Sequence, residues 1–184
     1  CLYTGTYQMT NRVVGNGTPL DHRFDNVARA ARRAGYAPVL FGYTDQAIDP
    51  RDATGPDDPR LSTYEGVLPG FDVELDLTEA GCASWLAWLD ERGHDTSGGI
   101  GRVLSHERLL PAEHSLSAFM TDRVVDWIDR QDAPWFAHLS YLRPHPPYSA
   151  AGEWSTRYDP DAVSLPVPVP DRRHPLHDLV LQVP

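Results

Sequence analysis

PWFAHLSYLRPHPPY, residues 134–148, decides the reading of the fold. Its first half, 135–142, is an apolar run of strand length. Large residues stand on both alternating faces, the pattern of a strand buried in the middle of a sheet. Its second half stops that strand. Proline fixes φ and offers no N–H to a ladder, so Pro144, Pro146 and Pro147 end the pairing and stiffen the backbone around His145. A stiff mount suits a catalytic group, because errors of placement are costly. The competing reading is a rigid turn with an incidental histidine.

Working outward, APVLF at 37–41 is a second short apolar run. It follows a predicted helix over 20–35, with Asp21 as cap, Phe24, Val27, Ala28 and Ala31 at helical spacing, and Gly35 at the stop. A second helix is predicted over 78–92, with Trp85, Leu86 and Leu89 on one face and Gly93 after its end. A third covers 115–130, capped by Ser115 and striped by Leu116, Phe119, Val124, Trp127 and Ile128. Residues 49–70, rich in Pro, Gly and Asp, read as loop, and 94–112 look irregular. A loop and helix insertion is expected over 53–112. The segment 149–184 reads as an extended, proline-rich tail that wraps a surface or serves as a linker. Alternating helices and strands predict an α/β fold: part of an α/β/α sandwich with a mostly parallel central sheet and helices on both faces.

The totals narrow the function. The chain has 184 residues, enough for one core, and 17 prolines imply much loop. It begins in mid-phrase at Cys1, which suggests an internal fragment of one longer catalytic domain. No run of about 18 apolar residues is present, so no membrane-spanning helix is expected. The formal net charge of −10 argues against a nucleic-acid partner, which needs clustered basic residues. All 16 basic residues are arginine, so a mechanism that needs lysine must take it from elsewhere. Cys1 and Cys82 have no metal or disulfide spacing; two thiols suit a reducing, cytoplasmic setting. Residues 53–112 and the tail are candidate contact regions for a homo-oligomer.

In open α/β sheets, ligands bind beyond the carboxyl ends of the strands. Two loops leave strands there: Gly42-Tyr43-Thr44-Asp45, and Arg143-Pro144-His145-Pro146-Pro147. If the two strands run parallel, the loops share one edge. They then offer a phenol, a hydroxyl, a carboxylate, a guanidinium and an imidazole to one pocket. Asn16 lies between Gly15 and Gly17, a turn signal first. His138, inside a strand, is expected to be packed rather than functional. The other histidines, His22, His94, His106, His114, His174 and His177, default to solvated surface. Asp49, Asp52, Asp57 and Asp58 lack the alternating ligands and closing Glu of a calcium loop.

LYTGTY at 2–7, GNGTPLD at 15–21, ARRAGYAPVLFGYTDQAIDPR at 31–51 and HLSYLRPHPPY at 138–148 together resemble the sulfatase family of the alkaline phosphatase superfamily. The branch they are most similar to is the phosphonate monoester hydrolases and their phosphodiesterase-like relatives. The resemblance implies a hydrolase of phosphonate monoesters, phosphodiesters or sulfate esters, acting on a small anionic ester. Strict sulfatases and non-catalytic, anion-binding relatives remain as alternatives. In the family, a C-x-(P/A/S)-x-R motif precedes L-x-T-G, and its cysteine becomes the formylglycine nucleophile. Leu2-Tyr3-Thr4-Gly5 matches the trailing half. Cys1 does not match the nucleophile, because Tyr3 and Gly5 occupy the following motif positions; the formylglycine is expected upstream. The resemblance also implies one divalent metal (Ca, Mg or Mn) whose ligand segments this sequence does not contain.

Asn16 matches the family's asparagine that hydrogen-bonds a substrate oxygen. His145 matches the histidine that faces the leaving group. Tyr43 and Asp45 stand where ordinary sulfatases have Lys and His. Losing that lysine favours singly charged esters over phosphate monoesters, whereas a carboxylate near an anion costs binding unless it meets a cation. Thr44 and Arg143 complete the expected substrate-binding set.

Overall fold

The computed structural model describes residues 1–63, 66–78, 82–168 and 173–182. In chain order its regular elements are α1 (Gln8–Asn11), α2 (Val27–Arg33), β1 (Pro38–Gly42), β2 (Asp72–Asp76), α3 (Ala83–Asp90), α4 (Gly99–Ser105), α5 (Leu116–Ile128), β3 (Phe136–Leu139) and α6 (Pro175–Val180). Three strands form one sheet in the order β2-β1-β3, and both pairings are parallel.

β1 is the central strand. All five of its residues are buried, and its alternation feeds two layers. Val39 and Phe41 pack with Val124 and Trp127 of α5, Phe41 meeting Trp127 edge-on at 5.8 Å between ring centres. Leu40 points the other way, into a cluster with Leu20, Ala28, Leu68 and Phe71. Burying one such leucine contributes about 1.5–3 kcal/mol. Helices therefore cover both faces, as an α/β/α sandwich requires.

The central position expected for 135–142 belongs to β1. β3 is shorter, stands at the end of the strand order, and its four residues are only half-buried. Ala137 and Leu139 face the α5 side, while Phe136 stacks on Phe71 at 6.2 Å on the opposite side. β2 was not anticipated. DVELD is mostly exposed and alternates acids with aliphatics, so it reads as loop until β1 supplies a partner.

The helices follow their caps. α5 begins where Ser115 accepts from the Ala118 N–H at 3.1 Å, as expected. α2 begins later than predicted. Asn26, not Asp21, accepts from the Arg29 N–H at 3.0 Å, and its amide donates to the Pro69 carbonyl at 3.0 Å. α3 spans less than 78–92, and positions 79–81 lie outside the described residues. Trp85 and Leu89 are fully buried in the cluster that also holds Leu116, Phe119 and Met120. The irregular stretch 94–112 contains α4, disguised by Gly99 and Gly101. Residues 53–112 thus add a strand and part of the core to the sheet domain.

The Asp-rich loop has a local explanation. Asp49-Pro50-Arg51 and Asp58-Pro59-Arg60 each start a 3₁₀ turn with Pro at its first position. The aspartate accepts from the arginine's backbone N–H, at 2.9 and 3.0 Å, while also pairing with its guanidinium. Those arginines hold both carboxyls well below the usual carboxylate range. The tail carries short turns and α6; Gly152 ties it to the body by donating to the Leu110 carbonyl at 2.8 Å. Among the described residues, no helix is long and apolar enough to cross a membrane. Cys1 is exposed and Cys82 buried, its thiol donating to the Leu77 carbonyl at 3.4 Å; they form no disulfide with each other.

Candidate active site

The parallel pairing of β1 and β3 sets the rim. The register runs from Pro38 opposite Phe136 to Phe41 opposite Leu139. One more bond follows, from the Ser140 N–H to the Phe41 carbonyl at 2.8 Å. Gly42 then passes so close that a Cβ there would lie 2.6 Å from the Ser140 carbonyl oxygen. Its φ of +116° is likewise reserved for glycine. Both candidate loops therefore leave the sheet side by side. Tyr43, Leu139 and Leu142 all pack, partly buried, against the cluster around Trp85 and Phe119.

The first loop is tied to the Gly15–Gly17 turn. Asn16 donates its amide N–H to a carboxylate oxygen of Asp45 at 3.3 Å. The Gly17 N–H donates to the Asp45 carbonyl at 3.1 Å. Asp45 itself adopts left-handed backbone geometry, φ 52°, which aspartate tolerates better than most residues. Its carboxylate, expected to need a cation, meets the neutral amide donor of Asn16. Nearby, burial and then the Asp45 charge push the Tyr3 hydroxyl's pKa up. Tyr3 stays protonated, and its hydroxyl shares a 3.1 Å hydrogen bond with His138 Nε2. Burial pushes His138 below its ordinary value, so it is a packed, neutral histidine.

Two expected substrate binders are occupied by protein. Thr44 is buried; its hydroxyl donates to the Gly66 carbonyl at 3.0 Å and accepts from the Leu68 N–H at 2.9 Å. Arg143 has five N–H donors, and five protein contacts engage them. Nε meets Glu107 Oε2 at 2.7 Å; one terminal nitrogen meets the carbonyls of His145 (2.9 Å) and Pro147; the other meets the Leu104 carbonyl (2.9 Å) and Glu107 Oε2 again. No donor is left for a bound oxyanion. Glu107, 1% exposed, was not anticipated. A lone glutamate in an irregular segment carries no signal; only the partner reveals it.

His145 is exposed. Its Nδ1 lies 2.7 Å from the Pro146 carbonyl, which can only accept, so Nδ1 carries a proton and Nε2 is the atom presented outward. It lines a cavity of about 600 Å³ together with Arg108, Tyr148 and Trp154. That cavity does not include Asn16, Tyr43 or Asp45; Asn16 lines a separate depression of about 380 Å³ with Pro19, Leu61 and Thr63. The two loops share an edge, but the six candidate residues do not share one cavity. Among the described residues, no three His, Cys, Asp or Glu side chains gather to hold a metal ion.

Fold and rim define a class: a layered α/β domain whose polar loops gather at the carboxyl ends of parallel strands. The sulfatase family model matches residues 1–163, and the chain belongs to that family. It is 33% identical over 199 aligned positions to the multifunctional alkaline phosphatase superfamily protein PehA of Trinickia caryophylli, covering 97% of this chain and 37% of PehA. The crystal structure of the phosphonate monoester hydrolase of Agrobacterium radiobacter superposes with a TM-score of 0.79 at 44% identity, over 89% of this chain and 34% of that one. The phosphonate monoester hydrolase SpPMH from Silicibacter pomeroyi superposes with a TM-score of 0.80 at 36% identity, over 93% of this chain and 36% of that one. The chain spans little more than a third of the length of these relatives.

Proposed function

We propose that this chain forms the substrate-facing part of a hydrolase that cleaves phosphonate monoesters or phosphodiesters in preference to sulfate esters. The observation that carries this reading is the parallel β1–β3 junction at Gly42 and Ser140. It delivers the Tyr43 loop and the His145 loop to one edge, in a chain similar to two phosphonate monoester hydrolases.

Family resemblance supplies a formylglycine nucleophile upstream of Cys1 and one divalent metal, Ca, Mg or Mn. The described residues do not fit that metal, having no cluster of ligands for it. The work of this chain is binding and proton transfer. Asn16, with one N–H held by Asp45, directs its other N–H toward a substrate oxygen. Tyr43 positions a second oxygen without adding positive charge, which suits an ester carrying a single negative charge. His145, protonated at both nitrogens, gives the Nε2 proton to the leaving oxygen as the ester bond breaks, while Nδ1 stays on the Pro146 carbonyl.

The test uses the full-length protein and paired aryl esters that share one leaving group, a phosphonate monoester and a sulfate. A higher kcat/KM on the phosphonate supports the reading. A higher value on the sulfate identifies a strict sulfatase. Binding of both without turnover identifies an anion-binding relative.

A further inference from the structure

A buried carboxylate is costly unless it is paired and hydrogen-bonded. Glu107 meets both conditions. One oxygen takes two bonds from Arg143, and the other accepts from the Leu116 N–H, the first turn of α5, at 3.3 Å. The pair is well shielded, with side chains 14% and 2% exposed for Arg143 and Glu107.

The loop held by this pair makes one backbone bond of its own, from the His145 N–H to the Leu142 carbonyl at 3.0 Å, and little more. Pro144, Pro146 and Pro147 contribute no N–H, so their part of the backbone can join no ladder. Side chains instead capture three successive carbonyls. Arg143 takes those of His145 and Pro147, and His145 Nδ1 takes that of Pro146 between them. The last of these bonds fixes the tautomer and the ring direction of His145. Glu107 anchors the guanidinium, and α5 anchors Glu107.

We propose that Glu107, acting through Arg143, is the positioning residue for the His145 imidazole: it holds the two loop carbonyls that bracket the Nδ1–Pro146 bond, and so aims Nε2 at the leaving oxygen. This rests on the reading of His145 as the proton donor. It makes Arg143 part of the same mount, with no direct bond to substrate.

Leaving groups of different acidity provide the test. A nitrophenolate departs with little help, whereas a phenolate needs a proton, so a mispositioned donor is felt mainly on the phenyl ester. In the full-length enzyme, Glu107→Gln keeps the shape of the side chain and removes its charge. It should lower kcat on the phenyl phosphonate ester about tenfold or more and on the nitrophenyl ester less than about threefold, with KM little changed. Glu107→Asp should recover part of the loss. Arg143→Lys offers three donors where five are engaged, and should show the same leaving-group dependence if Glu107→Gln fails to fold. His145→Ala sets the reference and should show that dependence more deeply. Equal losses on both esters in the Glu107 and Arg143 variants, or no loss at all, would overturn the positioning role while His145→Ala kept its dependence. If His145→Ala itself showed no dependence on the leaving group, the donor reading would fall and the positioning role with it.

Discussion

Replacing Gly42 by alanine probes the junction on which the site is built. Two costs add. A residue with a Cβ held at φ +116° is strained by about 1–3 kcal/mol. The new methyl would also sit 2.6 Å from the Ser140 carbonyl oxygen and 2.9 Å from its Cβ. Ordinary contact begins near 3.4 Å, so the strand ends must part by several tenths of an ångström. That movement pulls on the Ser140–Phe41 bond, worth about 1 kcal/mol net. The total is a loss of about 2–4 kcal/mol. Denaturant unfolding of full-length wild type and Gly42→Ala measures it, and kcat/KM on the same samples should fall as the Tyr43 and His145 loops separate. Gly101→Ala is the control: it faces open space inside α4 and should gain about 0.5–1 kcal/mol from helix propensity. Wild-type stability and turnover in Gly42→Ala would refute the argument that close strand approach fixes the rim.

His145→Ala in the full-length enzyme should cut turnover by about 10²-fold or more, measured by steady-state kinetics. Trp85 is fully buried and its Nε1 donates to the His114 carbonyl at 3.2 Å; Trp85→Ala should cost about 3–5 kcal/mol in denaturant unfolding, and Trp85→Phe distinctly less. The pH dependence of stability reports on His138, whose pKa burial depresses below 6.5. As pH falls, the unfolded chain takes up this proton first, so the contribution is complete above 6.5 and is lost as pH drops toward the depressed folded value. His138→Gln keeps a hydrogen-bonding partner for Tyr3 and removes the titration. The stability gap between wild type and His138→Gln should therefore shrink on going from about pH 7.5 to about pH 5.5, by unfolding midpoints; a constant gap would contradict the burial of a neutral ring.

Legibility in the sequence followed burial. β1 and β3 were readable as short apolar runs and α5 as an apolar stripe at helical spacing, and Ser115 caps α5 as its position suggests. β2 escaped because an exposed acidic strand owes its existence to a neighbour. α4 escaped because two glycines lower helix propensity that tertiary packing of Val103 and Leu104 restores. At the site, the two loops and the packed His138 could be read directly. The Glu107–Arg143 contact could not, since 36 residues separate its partners and neither lies in a periodic pattern. Thr44 and Arg143 looked like ligand groups from their positions, but their hydrogen-bonding capacity is taken up by neighbouring protein groups that only the folded chain brings near.

The paired Asp-Pro-Arg turns have a consequence for how such a rim can change. Each turn carries its own aspartate cap, its own proline start and its own counter-charge within three residues. Segment 49–61 combines these local turns with ties to the chain before it, the His22 N–H donating to Asp49 and Arg51 reaching Asp21, each at 3.0 Å. A change in its length would remodel the mouth beside Asn16, with the bonds to Asp21 and His22 limiting how far that change can spread.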